Sequence, residues 1–162
     1  MKSSATDLLR NPLELALCVL LTALVAVTFS QVLFRYVFQT SLAWSEELAR
    51  FFLLWLGSLS AAYAFKTGAH FALRFAVERL PSGPRRQLER LVTGLVTVLL
   101  MVFAWQALRF TLEVRTMVAP ATGMSMAIPY SSAFVGSLLM LYYVLRQAWH
   151  GDDEPAARPG HG

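Results

Sequence analysis

Residues 15–34 read LALCVLLTALVAVTFSQVLF, twenty positions without one formal charge. At roughly 1.5 Å of rise per residue, such a segment makes about 30 Å of helix, the thickness of a bilayer's hydrocarbon core. Lys2 and Arg10 precede it, as basic residues precede a secretory signal. The run is longer than the roughly 7–15 apolar residues of such a signal, and no small-x-small cleavage site follows, so an uncleaved membrane helix is expected. Three further runs repeat the reading: 48–65, crossed only by Arg50 near its start; 91–108, with Gln106 its one strongly polar side chain; and 127–145, with Pro129 near the first turn. A proline there costs little, because the N–H it lacks would have no helical partner. The expected fold class is all-α integral membrane. Four transmembrane helices form one domain over 1–149, followed by a disordered tail, 150–162, rich in Gly, Pro, Asp and Glu.

The rest of the composition agrees. The chain has 162 residues, 56% hydrophobic and 15% charged, against roughly 25% charged in an ordinary soluble domain. That excludes a soluble enzyme and a disordered chain. A single cysteine, Cys18, offers no internal disulfide and no metal-binding spacing. The net charge of +4 does not point to nucleic acid, since the basic residues sit between apolar runs rather than on polar surface helices. Their placement orients the chain instead. Ten of the Lys and Arg residues precede the first run, lie between the second and third, or follow the fourth; Arg35, Arg50, Arg109 and Arg115 lie on the opposite side. Positive residues concentrate on the cytoplasmic face, so both termini and the middle loop are expected inside. Within that loop, His70 to Leu80 fits a short amphipathic helix, with His70, Arg74 and Glu78 on one stripe, lying against the anionic cytoplasmic leaflet. Pro81, Ser82, Gly83 and Pro84 are expected to end it in a turn. Trp44, Trp105, Trp149, Tyr36, Tyr130 and the Tyr142–Tyr143 pair lie toward run ends, where aromatic belts form.

The polar residues decide between function classes. Entering the second run, Ser45 is a candidate helix cap, with Ser41 the alternative, and Glu46 and Glu47 favour the positive end of the helix dipole. Glu46 and Arg50 are spaced to pair, and Arg35 is close enough in sequence to reach either glutamate across the hairpin. Two readings of this cluster stand side by side: capping and interfacial snorkelling, or a polar contact that fixes the hairpin or meets another protein. A catalytic carboxylate pair would need a histidine, a second acid pair or a metal cluster, and none accompanies it. A redox-enzyme membrane anchor would need histidines within its spans to hold haem; His70, His150 and His161 lie elsewhere. A stand-alone small exporter of the multidrug type would need an ionisable group deep in a span. The deepest strongly polar groups are Gln31 and Gln106, which can hydrogen-bond between helices but carry no proton. Gly57 and Ala61, four apart, and also Gly94 and Gly136, would let a neighbouring helix approach closely. A chain without its own coupling site fits a partner subunit better than a complete transporter.

Residues 44–70, WSEELARFFLLWLGSLSAAYAFKTGAH, resemble the small membrane subunit of TRAP transporters, the tripartite ATP-independent periplasmic transporters (DctQ-type). Trp44, Glu46, Glu47, Leu48, Arg50, Trp55, Gly57, Ala61, Ala62, Lys66, Gly68, Ala69 and His70 carry the resemblance, with weaker support at Leu80–Pro81 and in SMAIPY, 125–130. Phe71 departs mildly from the family's aliphatic residue after the histidine. The resemblance implies a multi-pass protein of the bacterial inner membrane that braces a large multi-span permease subunit. That partner would carry the substrate and sodium sites, with no cofactor in the small subunit itself. A periplasmic solute-binding protein would deliver the solute, commonly an organic acid. Position and spacing, rather than the resemblance, make Glu46, Glu47 and Arg50 the expected polar contacts, Arg35 their intrachain partner, and His70 and Arg74 the expected anchors at the cytoplasmic interface. Trp44, Trp55, Gly57 and Ala61 would serve as structural or subunit-interface residues.

Overall fold

The computed structural model describes residues 12–40, 42–67 and 82–150. They form four long helices: α1 Pro12–Tyr36, α2 Ala43–Thr67, α3 Ser82–Glu113 and α4 Ala127–His150. A short 3-10 turn, Val114–Thr116, follows α3. All four helices are long and apolar enough to cross a membrane. The described residues contain no strand, only an isolated bridge between Val118 and Ser125.

Each helix overruns its apolar run, because a helix need not stop where the hydrocarbon does. Polar turns continue it into the headgroup layer, where water and headgroups satisfy its terminal N–H and C=O groups. Two local expectations change as a result. Ser45 does not cap α2. The helix already starts at Ala43, and the buried Ser45 hydroxyl donates to the Leu42 carbonyl at 2.7 Å. Ser82, Gly83 and Pro84 form the first turn of α3 rather than a connecting turn, and proline fits there because a first-turn N–H has no helical acceptor. The alternative cap Ser41, the expected interfacial helix with His70 and Arg74, and residues 151–162 of the expected tail lie outside the described residues.

The helices pack as a row. α1 lies on α2, α2 on α4, and α4 on α3. The two central helices, α2 and α4, run parallel, both starting at the end that carries the 37–42 and 117–126 connections. That end is the loop end below; the opposite one is the terminal end. Small residues set the α2–α4 contact. A Cβ on Gly136 would come within 2.9 Å of the Ser58 Cβ and 3.0 Å of its carbonyl oxygen. Ala62 and Ser137 beside it are fully buried, at 0% exposure. The first helix is bare by comparison: none of the α1 span is buried, against 28% of the α4 span. Val19, Val25 and Phe29 of α1, and Leu91, Leu95 and Leu99 of α3, all face outward. A monomer in water does not leave apolar surface on this scale bare. Lipid tails take its place, so helix association here rests on close fit and polar contacts rather than on hydrophobic burial.

Candidate functional site

The most concentrated polar constellation lies at the loop end, around Glu47. Its Oε1 accepts from the backbone N–H of Ala121 at 2.9 Å, and its Oε2 accepts from both the N–H and the hydroxyl of Thr122, each at 2.9 Å. Every partner is a donor, which is what an ionised, acceptor-only carboxylate takes. Glu47 also sits near the start of α2, where the positive end of the helix dipole favours a negative charge, and Arg50 lends further favourable charge.

The loop that presents these donors is built for the purpose. Met126 donates its N–H to Met117 O (2.9 Å), Ala119 to Met124 O (2.8 Å) and Gly123 to Ala119 O (2.8 Å). Gly123 holds φ +68°, the left-handed region where a side chain is costly. The Ser125 hydroxyl donates to Arg115 O at 2.8 Å and accepts from the Ala127 N–H at 3.2 Å, tying the loop to the start of α4. Two successive N–H groups are thereby aimed outward together, a small anion-holding concavity that Glu47 fills from α2.

Deeper in the row, polar side chains join one helix to the next. The Trp55 indole Nε1 donates to Ile128 O at 3.2 Å. The Ser58 hydroxyl donates to Ser132 Oγ at 3.3 Å, and Ser132 donates to Pro129 O at 2.6 Å. Toward the terminal end, Gln147 Nε2 donates to Phe65 O at 2.9 Å, and the Tyr63 hydroxyl donates to Glu14 Oε1 at 3.2 Å, the polar link between α1 and α2. Lys66 Nζ stands 5.9 Å from the Tyr63 ring centre. On the α3–α4 side the rings of Phe110 and Tyr130 meet edge to face, 5.0 Å apart.

The residues singled out from sequence divide accordingly. Glu47 and Trp55 make contacts between elements. Trp44, Glu46 and Arg50 are exposed at the loop end, and Ala61 is partly covered. Arg35 is exposed in the last turn of α1, and among the described residues no ion pair joins it to Glu46 or Glu47. Nor do Glu46 and Arg50 pair. Gly57 is open, with nothing near the position of an added Cβ; the close approach of α2 and α4 runs through Ser58 and Gly136 instead. Residues that sequence reasoning missed are Thr122 with its loop, Gln147, and the Glu14–Tyr63 pair. Only the first left a trace, the Thr-Gly turn signal at 122–123. Among the described residues no three His, Cys, Asp or Glu side chains converge. The arrangement joins and positions helices.

Comparison with known proteins bears on what such a row of helices serves. The family model for the DctQ component of tripartite ATP-independent periplasmic transporters matches residues 24–153. A TRAP transporter small permease protein of Haemophilus influenzae is 25% identical over 144 residues, 86% of this chain and 87% of that one. The C4-dicarboxylate TRAP transporter small permease protein DctQ of Rhodobacter capsulatus is 26% identical, covering 67% of this chain and 49% of the relative. The sialic acid TRAP transporter permease protein SiaT of Haemophilus influenzae is 31% identical over 84 residues, 52% of this chain but only 14% of that much longer protein.

Proposed function

The chain belongs to the DctQ component family of the tripartite ATP-independent periplasmic transporters, and from that premise we propose that it is the static small subunit that holds a large permease subunit at fixed depth and tilt in the bacterial inner membrane. It is a multi-pass membrane component of a transporter and not an enzyme. In our reading both termini face the cytoplasm and the loop end faces the periplasm. The large subunit carries the sodium and solute sites, and a periplasmic binding protein delivers an organic-acid-like solute. The relatives favour neither the stand-alone exporter nor the redox-anchor alternative.

The observation that carries the bracing role is the use made of the chain's polar groups. Glu47, Trp55, Ser58, Tyr63 and Gln147 each tie one element of this chain to another. A moving transporter core keeps such groups for its cargo; a brace uses them to stay rigid. The SiaT match supports the choice of partner, because in that relative a segment like this chain forms part of a larger permease polypeptide. The test is reconstitution. This chain alone in liposomes should move no solute down or against a sodium gradient. The chain with its large subunit and binding protein should accumulate an organic acid when sodium is supplied outside. Transport by the isolated chain would end the bracing reading.

A further inference from the structure

The last two turns of α4 border a cleft of about 420 Å³, lined by Tyr142, Leu145, Arg146 and Trp149. All four are exposed, Trp149 at 88%. The uncharged run of α4 ends at Leu145, so the cleft lies where hydrocarbon gives way to headgroups. Each of its polar side chains can donate: a guanidinium, an indole N–H and a phenol O–H. α4 itself contains no Asp or Glu. Among the described residues the Tyr142 hydroxyl and the Trp149 indole make no hydrogen bond. Arg146 takes part in a contact of its own, but a guanidinium carries five N–H donors and can serve a second acceptor.

The surrounding charge has the same sign. Arg85, Arg86 and Arg90 stand in the first turns of α3 at this terminal end, and Lys66 in the last turn of α2. The acids of the described residues at that end are Glu89 and Glu14, and Glu14 already accepts from Tyr63 on the far side of α2. Order along the helix then decides which chemistry fits. From the end inward come the indole, the guanidinium and, four residues or about 6 Å of rise deeper, the phenol. Leu145 lies between them, and Leu138, 44% exposed, lies one turn below Tyr142. A hydrocarbon chain alone leaves three donors unmet. A free phosphate leaves the leucines and ring faces bare. A phospholipid meets both, since it presents its phosphate, its ester carbonyls and its acyl chain in that same order.

We propose that this cleft binds one anionic phospholipid of the leaflet at the terminal end. Arg146 grips the phosphate with paired N–H groups, and Trp149 stands at headgroup level beside it. Tyr142 donates to an ester carbonyl, and the acyl chain lies along Leu145 and Leu138. A headgroup whose phosphate is not neutralised by its own amine gains most from the basic surroundings, which makes the site selective for anionic over zwitterionic lipid. The inference rests on the membrane-subunit reading above, with the terminal end at the cytoplasmic leaflet, and adds a lipid partner to it.

The experiment uses the full chain in an uncharged detergent. Bound lipid is counted by native mass spectrometry during titration with phosphatidylglycerol, phosphatidylcholine or inorganic phosphate. One phosphatidylglycerol should bind roughly fivefold or more tightly than phosphatidylcholine, and inorganic phosphate should not compete. Arg146→Gln should abolish that preference, and Tyr142→Phe should weaken binding of both lipids. Arg115→Gln, at the loop end, should change neither. Arg146→Lys keeps the charge but not the paired donors, so it should fall between Arg146→Gln and the parent; it carries the test if Arg146→Gln does not fold. Equal binding of the two lipids, or equal effects of Arg146→Gln and Arg115→Gln, overturns the site, and displacement by inorganic phosphate makes it an anion site rather than a lipid site. In the complex with the large permease subunit, a photo-crosslinking benzophenone side chain at Trp149 should yield a phospholipid adduct; capture of the large subunit there overturns the lipid site and leaves the small-subunit reading intact. Transport by the isolated chain would sink that reading without touching the lipid measurement.

Discussion

A carboxylate that accepts three hydrogen bonds from one loop concentrates much of that loop's order in a single side chain. Glu47→Ala removes every acceptor from the Ala121 and Thr122 donors at once. Amide exchange at those two positions should rise roughly tenfold or more, because a loop opens as often as its restraints permit. Glu47→Gln should fall between the two, since one oxygen survives but the amide nitrogen presents hydrogens to donors that already carry their own. Hydrogen–deuterium exchange by mass spectrometry reads both; equal protection in all three proteins would show that the loop holds itself. Gly123 supports the same contact through the backbone. Nothing lies near its absent Cβ, so the cost of Gly123→Ala comes from φ alone and should be about 1–2 kcal/mol. Gly123→Asn should recover part of it, because asparagine tolerates the left-handed region. Thermal unfolding in mild detergent ranks the three, and an alanine variant as stable as the parent would remove the backbone argument.

Between elements, the contact that matters most for the row is the one with the least side chain in it. Gly136→Ala places a methyl group 2.9 Å from the Ser58 Cβ and 3.0 Å from its carbonyl. α2 and α4 must then separate, and the Ser58–Ser132 and Trp55–Ile128 bonds stretch with them. The expected loss is about 1–3 kcal/mol, the usual cost of overpacking, read as a lowered midpoint in detergent-denaturant titration. Gly57→Ala, on the same pair of helices but in open space, should cost the isolated chain nothing. This contrast also shows what the sequence could and could not disclose. The four helices were legible because an uninterrupted apolar run such as 15–34 has one physical explanation in a chain this short. Their ends were not, because Pro12 to Glu14 or Ser82 to Arg90 carry the polarity of a loop while remaining helical. Neighbour choice was hidden too: Gly57, Gly94 and Gly136 are alike on paper, and only the fold shows that Gly136 meets Ser58. Glu47 stood out by its charge at the mouth of a span, yet its partner, 75 positions away in Thr122, left no more than a turn signal.

For the molecule as a whole, the open row and the charge distribution bear on the same question, which way the chain sits. In a row no helix is wrapped by others, so each remains exposed to lipid along its length, and orientation is set by the connections rather than by a protected core. The connection 37–42 is short, and 117–126 is stitched to Glu47 and to itself. Of the fourteen Lys and Arg residues, the loop end holds only Arg35, Arg50, Arg109 and Arg115. Lys and Arg flanking short loops are held on the cytoplasmic side during insertion, so the loop end should emerge in the periplasm. A fluorescent protein fused after Gly162 should therefore mature and fluoresce, whereas alkaline phosphatase at the same position should stay inactive. With Cys18 replaced by serine, Thr40→Cys and Thr116→Cys should react with a membrane-impermeant maleimide added to intact spheroplasts. Both positions are exposed and lie at the loop end. Labelling that appears only after the membrane is opened would reverse the assignment. It would also turn the Glu47 clasp toward the cytoplasm, away from any binding protein arriving from the periplasm.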